Sequence, residues 1–168
     1  MTLPYKGIRL IIPLMCISLS GCYNFKGISI PPDINTFYVD NFSLSSADAP
    51  IDINQLFTEQ LREKIREESR LVNDNNTPDI EFSGSVINYN IRYVAPDENN
   101  TTSLNRLEIG VRVNYTSNID PEDNWSKNYT DFEDFDSNAD FQSLQDNLIA
   151  LIIEDIVERI FNDSFTNW

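Results

Sequence analysis

The sequence predicts an α+β fold, a two-layer sandwich in which two helices pack on one face of a four-stranded, largely antiparallel sheet in the order β-α-β-β-β-α. Two segments repeat apolar residues at helical spacing, and four segments are rich in β-branched and aromatic residues. The most regular strand is apolar on one side only, which leaves one sheet face for the helices to cover. A chain of 168 residues has room for one domain of ordinary size.

The first strand and the first helix occupy the beginning of the predicted domain. Residues 36–42 (TFYVDNF) are aromatic and β-branched and predict the first strand. Asp52 can cap a helix together with Gln55, and the polar positions that follow carry Glu and Arg. The apolar positions recur at helical spacing and predict an amphipathic helix of about four turns. They are Ile53, Leu56, Phe57, Leu61 and Ile65.

Two long strands and a hairpin loop come next. Residues 79–94 predict a strand whose apolar positions change from even to odd numbers, and a bulge near Gly84 would reconcile its halves. Residues 95–103 predict the hairpin loop. The third strand alternates strictly, with an apolar face made of Leu107, Ile109, Val111, Val113 and Tyr115. The opposite sheet face is expected to be polar and to carry Asn88, Asn90, Arg92, Arg106, Glu108, Arg112 and Asn114.

The last strand and the second helix complete the predicted fold. Residues 125–132 predict a fourth strand, but Lys127 shares a parity with Trp125 and Tyr129, so the pattern assigns it no buried face. An acidic loop at 133–140 leads into a helix whose breadth of apolar residues predicts burial over more than half its girth. Its core stripe is Phe141, Leu144, Leu148, Leu151, Ile152, Ile156 and Ile160, widened by Ile149, Ile153, Val157 and Phe161.

The amino terminus has the layout of a bacterial export signal. Lys6 and Arg9 precede an apolar run that is too short to span a bilayer. The tetrad at 19–22 (LSGC) resembles a lipobox, which predicts cleavage before Cys22 and acylation of that cysteine. Residues 1–21 are therefore a predicted lipoprotein signal peptide, 22–35 a lipidated tether, and 36–168 a single α+β domain. An ordinary secretory signal beside a structural cysteine is the alternative.

Charge and composition exclude several classes of function. The chain has 27 acidic and 12 basic side chains and no histidine. Nucleic-acid binding needs clustered Lys and Arg, so none is expected. Without histidine, a nucleophilic hydrolase is left only a Ser-Lys pair. We therefore predict a protein that is not an enzyme and that uses no cofactor.

The acidic residues before the second helix leave two alternatives open. Paired carboxylates could hydrolyse envelope glycans; they are Asp131, Glu133, Asp134, Asp136 and Asp140. The same segment partly matches a calcium loop, but Ala139 replaces the turn glycine and Gln145 replaces the bidentate glutamate. An acidic run in an acidic protein is usually a solvated loop, and we predict no metal site.

A series of short strings carries a family resemblance. They are CYNFKGISIPP from Cys22, TFYVDNF at 36–42, ESRLV at 68–72, PDIEFSG at 78–84, NRLEI at 105–109, FEDFD at 132–136 and FTNW at 165–168. In this order and spacing they resemble the Bacteroidetes-type branch of the LptE family, the lipopolysaccharide-assembly lipoproteins. The resemblance covers essentially the whole mature chain, and the two-helix sandwich of that family agrees with the fold derived above.

The resemblance implies a function that no motif shows by itself. An LptE protein would act as plug and assembly partner of the LptD β-barrel and would assist lipopolysaccharide transport to the outer leaflet. The expected location is the outer membrane, lipid-anchored, facing the periplasm or inside the barrel lumen. Arg92, Arg106 and Arg112 are the predicted contacts to the barrel or to lipopolysaccharide, the alternative being that they are ordinary solvated or ion-paired strand residues. A lipoprotein accessory to another outer-membrane complex is the second functional reading.

Overall fold

The structure is a computed structural model that describes residues 29–95 and 103–166. Its elements are β1 (Thr36–Val39), β2 (Ser43–Leu44), α1 (Ile53–Glu68), β3 (Val72–Asn73), β4 (Ile80–Val94), β5 (Leu104–Ser117), a 3-10 turn (Pro121–Asp123), β6 (Trp125–Asp136) and α2 (Phe141–Phe165). The two helices pack against one face of the sheet, so the predicted α+β sandwich is confirmed. The sheet contains two short strands, β2 and β3, that the sequence did not predict.

The sheet is mixed, with a long antiparallel part and a short parallel part. Its order is β3-β1-β4-β5-β6, and β2 also pairs with β4. The β4-β5 and β5-β6 pairs are antiparallel, as consecutive strands joined by short connections allow. β1 runs parallel to both β3 and β4. In the chain, α1 lies between β1 and these two strands, and it carries the chain back to the end of the sheet at which β1 begins.

The bulge that changes the phase of β4 lies at Ile87. The register between β4 and β5 shifts between Val86 and Asn88, so the predicted bulge near Gly84 was wrong by three residues. Gly84 instead permits a close approach. A Cβ atom there would lie 2.0 Å from the carbonyl oxygen of Arg112 and 2.7 Å from a ring carbon of Phe42.

The hydrophobic core fills the space between the helices and the apolar sheet face. Its largest fully buried side chains are Phe37, Phe42, Phe57, Phe82, Phe165, Ile53, Leu61, Ile65, Ile80, Leu107, Ile109 and Ile152. Two predicted core residues are wrong: Leu56 is 39% exposed and Leu151 is 42% exposed. Each lies on the outer side of its helix, where Leu151 shares the exposed surface with Glu154 and Asp155.

The two helices begin differently. The side chain of Asp52 makes no capping hydrogen bond to α1, so the predicted cap with Gln55 was wrong. Asp140, from the predicted acidic loop, does cap α2 by accepting a hydrogen bond from the backbone N–H of Gln142. A carboxylate at this position also complements the positive end of the helix dipole.

Residues 29–35, the second half of the predicted tether, lie against the domain. The N–H of Ser29 donates to the carbonyl of Phe165 at 2.8 Å, and Ile34 is buried at 3% exposure. One carboxylate oxygen of Asp79 accepts hydrogen bonds from the N–H of Asn35 at 2.8 Å and of Thr36 at 2.9 Å. These contacts fix where the chain enters the fold.

The remaining predictions about the amino terminus fall on residues outside those described. They are the signal peptide at 1–21, the acylated Cys22 and the tether up to residue 28. Within residues 29–95 and 103–166, neither helix combines the length and the hydropathy needed to cross a membrane.

Candidate partner interface

The side of the sheet that points away from the helices, here called the open face, is built by alternate residues of β4, β5 and β6. The apolar residues between them, such as Ile109 and Val111, point into the core with no exposed surface. Across the three strands the open-face residues align in five rows: Ser83-Asn114-Ser126, Ser85-Arg112-Asn128, Asn88-Gly110-Thr130, Asn90-Glu108-Phe132 and Arg92-Arg106-Asp134. The structure therefore brings the three predicted contact arginines onto one surface.

Arg106 is fixed by its own sheet. Its Nε and one terminal nitrogen contact the two carboxylate oxygens of Asp134 at 2.6 and 2.8 Å. Its guanidinium carbon also lies 3.5 Å from the ring centroid of Phe132, a cation-π geometry. The hydrogen bond from Arg106 holds the pKa of Asp134 below its ordinary value. Arg106 is thus oriented and electrically neutralised within the domain.

Arg92 is paired more loosely. One of its terminal nitrogens lies 3.4 Å from Oε2 of Glu108, and half of its side chain is exposed. The other carboxylate oxygen of Glu108 accepts a hydrogen bond from Asn88 at 2.9 Å. At such an exposed pair water competes with the contact, so Arg92 can exchange its partner at little cost.

Arg112 differs from both of these arginines. Its Nε donates to the amide oxygen of Asn128 at 3.2 Å. Among the described residues it forms no ion pair with a carboxylate. Its positive charge is therefore available to an anionic group of a partner.

The buried side of β6, which the sequence left open, is the side that carries its odd-numbered residues. Tyr129 is buried there, and its hydroxyl donates to the Asp163 carboxylate of α2 at 3.0 Å. Lys127 pairs with the same carboxylate at 3.1 Å, while Asp131 pairs with Arg159 at 2.7 Å. Lys127 lies on the inner side because Asp163 of α2 supplies its counter-charge. The sequence of β6 alone does not reveal this partner.

The carboxylates considered for catalysis are distributed over different contacts. Because β6 extends to Asp136, Asp131 points toward α2 and Asp134 toward the open face. Asp136 accepts hydrogen bonds from Asn138, and Asp140 caps α2. In the described parts of the chain, no group of three or more Cys, Asp or Glu residues is placed to hold a metal ion.

Phe132 is an open-face residue that sequence reasoning missed. It is 42% exposed and lies beneath Arg106. The strand was predicted to end at this residue with its buried side undecided, so neither the exposure of Phe132 nor its aromatic contact followed from the pattern. β6 extends four residues past its predicted end, to Asp136 opposite Leu104, in a segment whose acidic composition predicted a loop.

This polar face on a two-helix sandwich can be compared with known proteins. A family model described as LptE, lipopolysaccharide-assembly, matches residues 34–164. The chain belongs to the LptE family. It is therefore a lipoprotein of lipopolysaccharide assembly associated with the outer membrane, and like its family it is not an enzyme. No curated protein sequence matched the chain.

Solved structures agree with the LptE fold at low sequence identity. A minor lipoprotein from Acinetobacter baumannii is 12% identical with a TM-score of 0.52, over 77% of this chain and 92% of that one. A hypothetical protein from Chlamydia trachomatis is 11% identical with a TM-score of 0.51, over 80% and 99%. An uncharacterized lipoprotein B from Nitrosomonas europaea is 12% identical with a TM-score of 0.50, over 82% and 84%. These likenesses concern the fold.

Proposed function

We propose that this LptE-family lipoprotein is the plug and assembly partner of an LptD-type barrel, with its open face against the polar wall of the lumen. The observation that carries the proposal is the open face itself. It is a large hydrogen-bonding surface, and no element of the described residues covers it. A barrel interior is polar, so a plug needs such a surface backed by an intact core.

The charge distribution supports contact through the open face. Its rows hold three arginines and two carboxylates, in a chain with a net charge of −15. The groove between the helices is the opposite extreme, since it is lined by Lys64 and six carboxylates: Glu63, Glu67, Glu68, Glu154, Asp155 and Glu158. Anionic lipopolysaccharide is repelled by the helical side and meets less repulsion at the sheet. We therefore assign any direct contact with lipopolysaccharide to the open face, with Arg112 as its principal cation.

The docked segment at 29–35 supports a position next to the membrane. Covalent geometry limits the seven residues from Cys22 to residue 28 to a span of about 25 Å. Ser29 is bonded to Phe165, so the domain cannot move farther than this from an acylated Cys22. Such a lipid anchor holds a protein at a membrane stably when several acyl chains are attached. Placement on the outer membrane or within the barrel is compatible with this distance.

Charge reversal at Arg112 tests the proposal. We expect Arg112→Glu to reduce co-purification of the barrel in mild detergent by about tenfold, because a carboxylate would replace the cation that faces the lumen wall. Lipopolysaccharide at the outer leaflet should fall in parallel. The matched control is Arg66→Glu, which makes the same charge change at an exposed arginine on α1.

Three outcomes are informative. Loss in Arg112→Glu with retention in Arg66→Glu supports the proposed interface. Equal, undiminished recovery of the barrel by both variants overturns the assignment of the open face. Identification of a different outer-membrane complex with the wild-type protein, and no LptD-type barrel, overturns the plug function and favours an accessory of that complex.

A further inference from the structure

One edge of the sheet is unpaired along part of β4. On the side away from β5, β1 pairs with Ile80–Phe82 and β2 pairs with Ser85 and Val86. From Ile87 to Val94 no strand of the described residues lies on that side. An unpaired strand edge presents a row of free backbone donors and acceptors.

The bulge determines which backbone groups point outward. Before it, the even-numbered carbonyls of Phe82 and Val86 accept hydrogen bonds from Asp40 and Ser45 on the outer side. The extra residue Ile87 reverses this phase, and the outward groups beyond it are those of Tyr89, Ile91 and Tyr93. We call this row the β4 edge.

The β4 edge also has exposed apolar side chains. Ile91 is 42% exposed and Tyr93 is 59% exposed, both on the helix side of the sheet. Tyr89 is buried, and its hydroxyl accepts a hydrogen bond from Gln145 of α2 at 2.9 Å. A strand added here would thus pair its backbone with the edge and cover Ile91 and Tyr93 with its side chains.

The opposite edge of the sheet, β6, is blocked in its middle part. The carbonyl of Thr130 accepts a hydrogen bond from Arg159 of α2 at 3.1 Å, and the N–H of Phe132 donates to the carboxylate of Asp131 at 2.9 Å. Asp131 and Arg159 are themselves an ion pair. Inward-pointing charges and occupied edge groups are devices that prevent strand addition. The β4 edge carries no such device among the described residues.

We propose that the β4 edge is a docking site for strand addition, and that its occupant is an extended, non-acidic loop segment of the barrel partner. This inference rests on the proposed function, because it names the part of the plug that the barrel engages in addition to the open face. Backbone hydrogen bonds would supply affinity, and alternate apolar side chains on the added strand would contact Ile91 and Tyr93.

Charge and chain length argue against the amino-terminal segment 22–28 and against a second copy as the occupant. The segment 22–28 is attached to the domain at Ser29, whose N–H donates a hydrogen bond to the carbonyl of Phe165. The ring of Phe165 packs on that of Phe82, with centroids 6.2 Å apart, so we measure the reach of the segment from Phe82. From Phe82 to Tyr93 the strand rises about 36 Å, so a segment of seven residues that spans about 25 Å does not reach the far end of the β4 edge. A second copy is opposed by the repulsion between two chains of net charge −15.

A competition experiment in cells tests the docking site. Tagged Ile91→Pro and untagged wild-type lipoprotein are co-expressed, and their ratio is measured in the purified barrel complex. Proline removes one outward N–H and leaves the β4-β5 ladder intact, because Asn90 and Arg92 make that ladder. We expect about tenfold under-representation of Ile91→Pro, the loss of roughly one backbone hydrogen bond. Ile91→Lys with Tyr93→Lys should behave alike and serves if the proline variant does not fold.

The control is Ile119→Lys, which replaces an isoleucine of similar exposure, 46%, at the other end of β5. It should compete as the wild type does. Amide hydrogen exchange of the wild-type complex gives a second readout: the N–H groups of Tyr89, Ile91 and Tyr93 should become protected when the barrel is bound, which side-chain contact alone would not cause.

The outcomes separate this inference from the proposed function. A wild-type protein that binds the barrel while Ile91→Pro competes equally, with the edge amides unprotected, overturns the docking site and leaves the plug function standing. A wild-type dimer that Ile91→Pro converts to monomer overturns the proposed occupant in favour of a second copy. A wild-type protein that recovers no barrel overturns the proposed function, and the docking site falls with it.

Discussion

Truncation of Arg106 and of Arg112 should affect stability very differently, although both lie on the open face of β5. Arg106→Ala removes a two-point contact with Asp134 at 2.6 and 2.8 Å and a cation-π contact with Phe132 at 3.5 Å. With the side chains of Arg106 and Asp134 only 20% and 30% exposed, the ion pair contributes about 1 kcal/mol. The cation-π contact adds about 0.5 to 1 kcal/mol.

The expected loss for Arg106→Ala is therefore about 1.5 to 2 kcal/mol, which lowers the melting temperature by about 3 to 8 °C for a domain of this size. Arg112→Ala loses one exposed hydrogen bond of 3.2 Å, so its stability should change by less than about 0.5 kcal/mol. Thermal melting of the purified lipoproteins, followed by circular dichroism, measures both. Equal melting temperatures would refute the distinction between a structural Arg106 and an available Arg112, and a reduced effect of Arg106→Ala in an Asp134→Ala background would confirm the pair.

Five further variants test the core, the hydrogen bonds to Asp79, the close approach at Gly84 and the lipid anchor. Ile152→Ala should cost about 2 to 5 kcal/mol, whereas the neighbouring Leu151→Ala, on the exposed side of α2, should cost less than about 1 kcal/mol in the same denaturation assay. Hydrogen bonds from the N–H groups of Asn35 and Thr36 lower the pKa of Asp79. Its carboxylate therefore stabilises the fold above the unfolded-state pKa, and this stabilisation is lost as pH falls through the folded-state pKa. Asp79→Asn should melt at a lower temperature than the wild type at pH 7, and the two melting temperatures should converge in acid. Gly84→Ala should cost about 1 to 3 kcal/mol or prevent folding, because its Cβ would meet the Arg112 carbonyl; a melting temperature like the wild type's would contradict this. Cys22→Ala should lack acyl mass on its amino-terminal peptide and remain uncleaved after Gly21, which mass spectrometry of membrane fractions detects.

The sequence predicted most of the fold because each element carries its own periodicity. The apolar alternation of β5 and the broad stripe of α2 each specify what they bury. The predictions failed where a contact with another element determines whether a side chain is buried. Leu151 fits the stripe of α2 by spacing but lies on the exposed side of the helix, and Lys127 is accommodated on the inner side of β6 by Asp163. No pattern within one segment contains this information.

The position of the bulge links the open face to the open edge. Side chains alternate with period two, so one extra residue in β4 moves every later side chain to the other face and every later backbone group to the other side. With the extra residue at Ile87, Arg92 joins the row of Arg106, and the backbone of Ile91 faces outward. A bulge at Gly84 and a bulge at Ile87 both place the side chains beyond Asn88 on the same faces of the sheet. The sequence could therefore predict the polar face without locating the bulge. β2 pairs with Ser85 and Val86, which requires the regular alternation of β4 to continue as far as Val86. The paired part of the outer edge of β4 therefore ends where β2 ends, and the sequence did not predict this short strand.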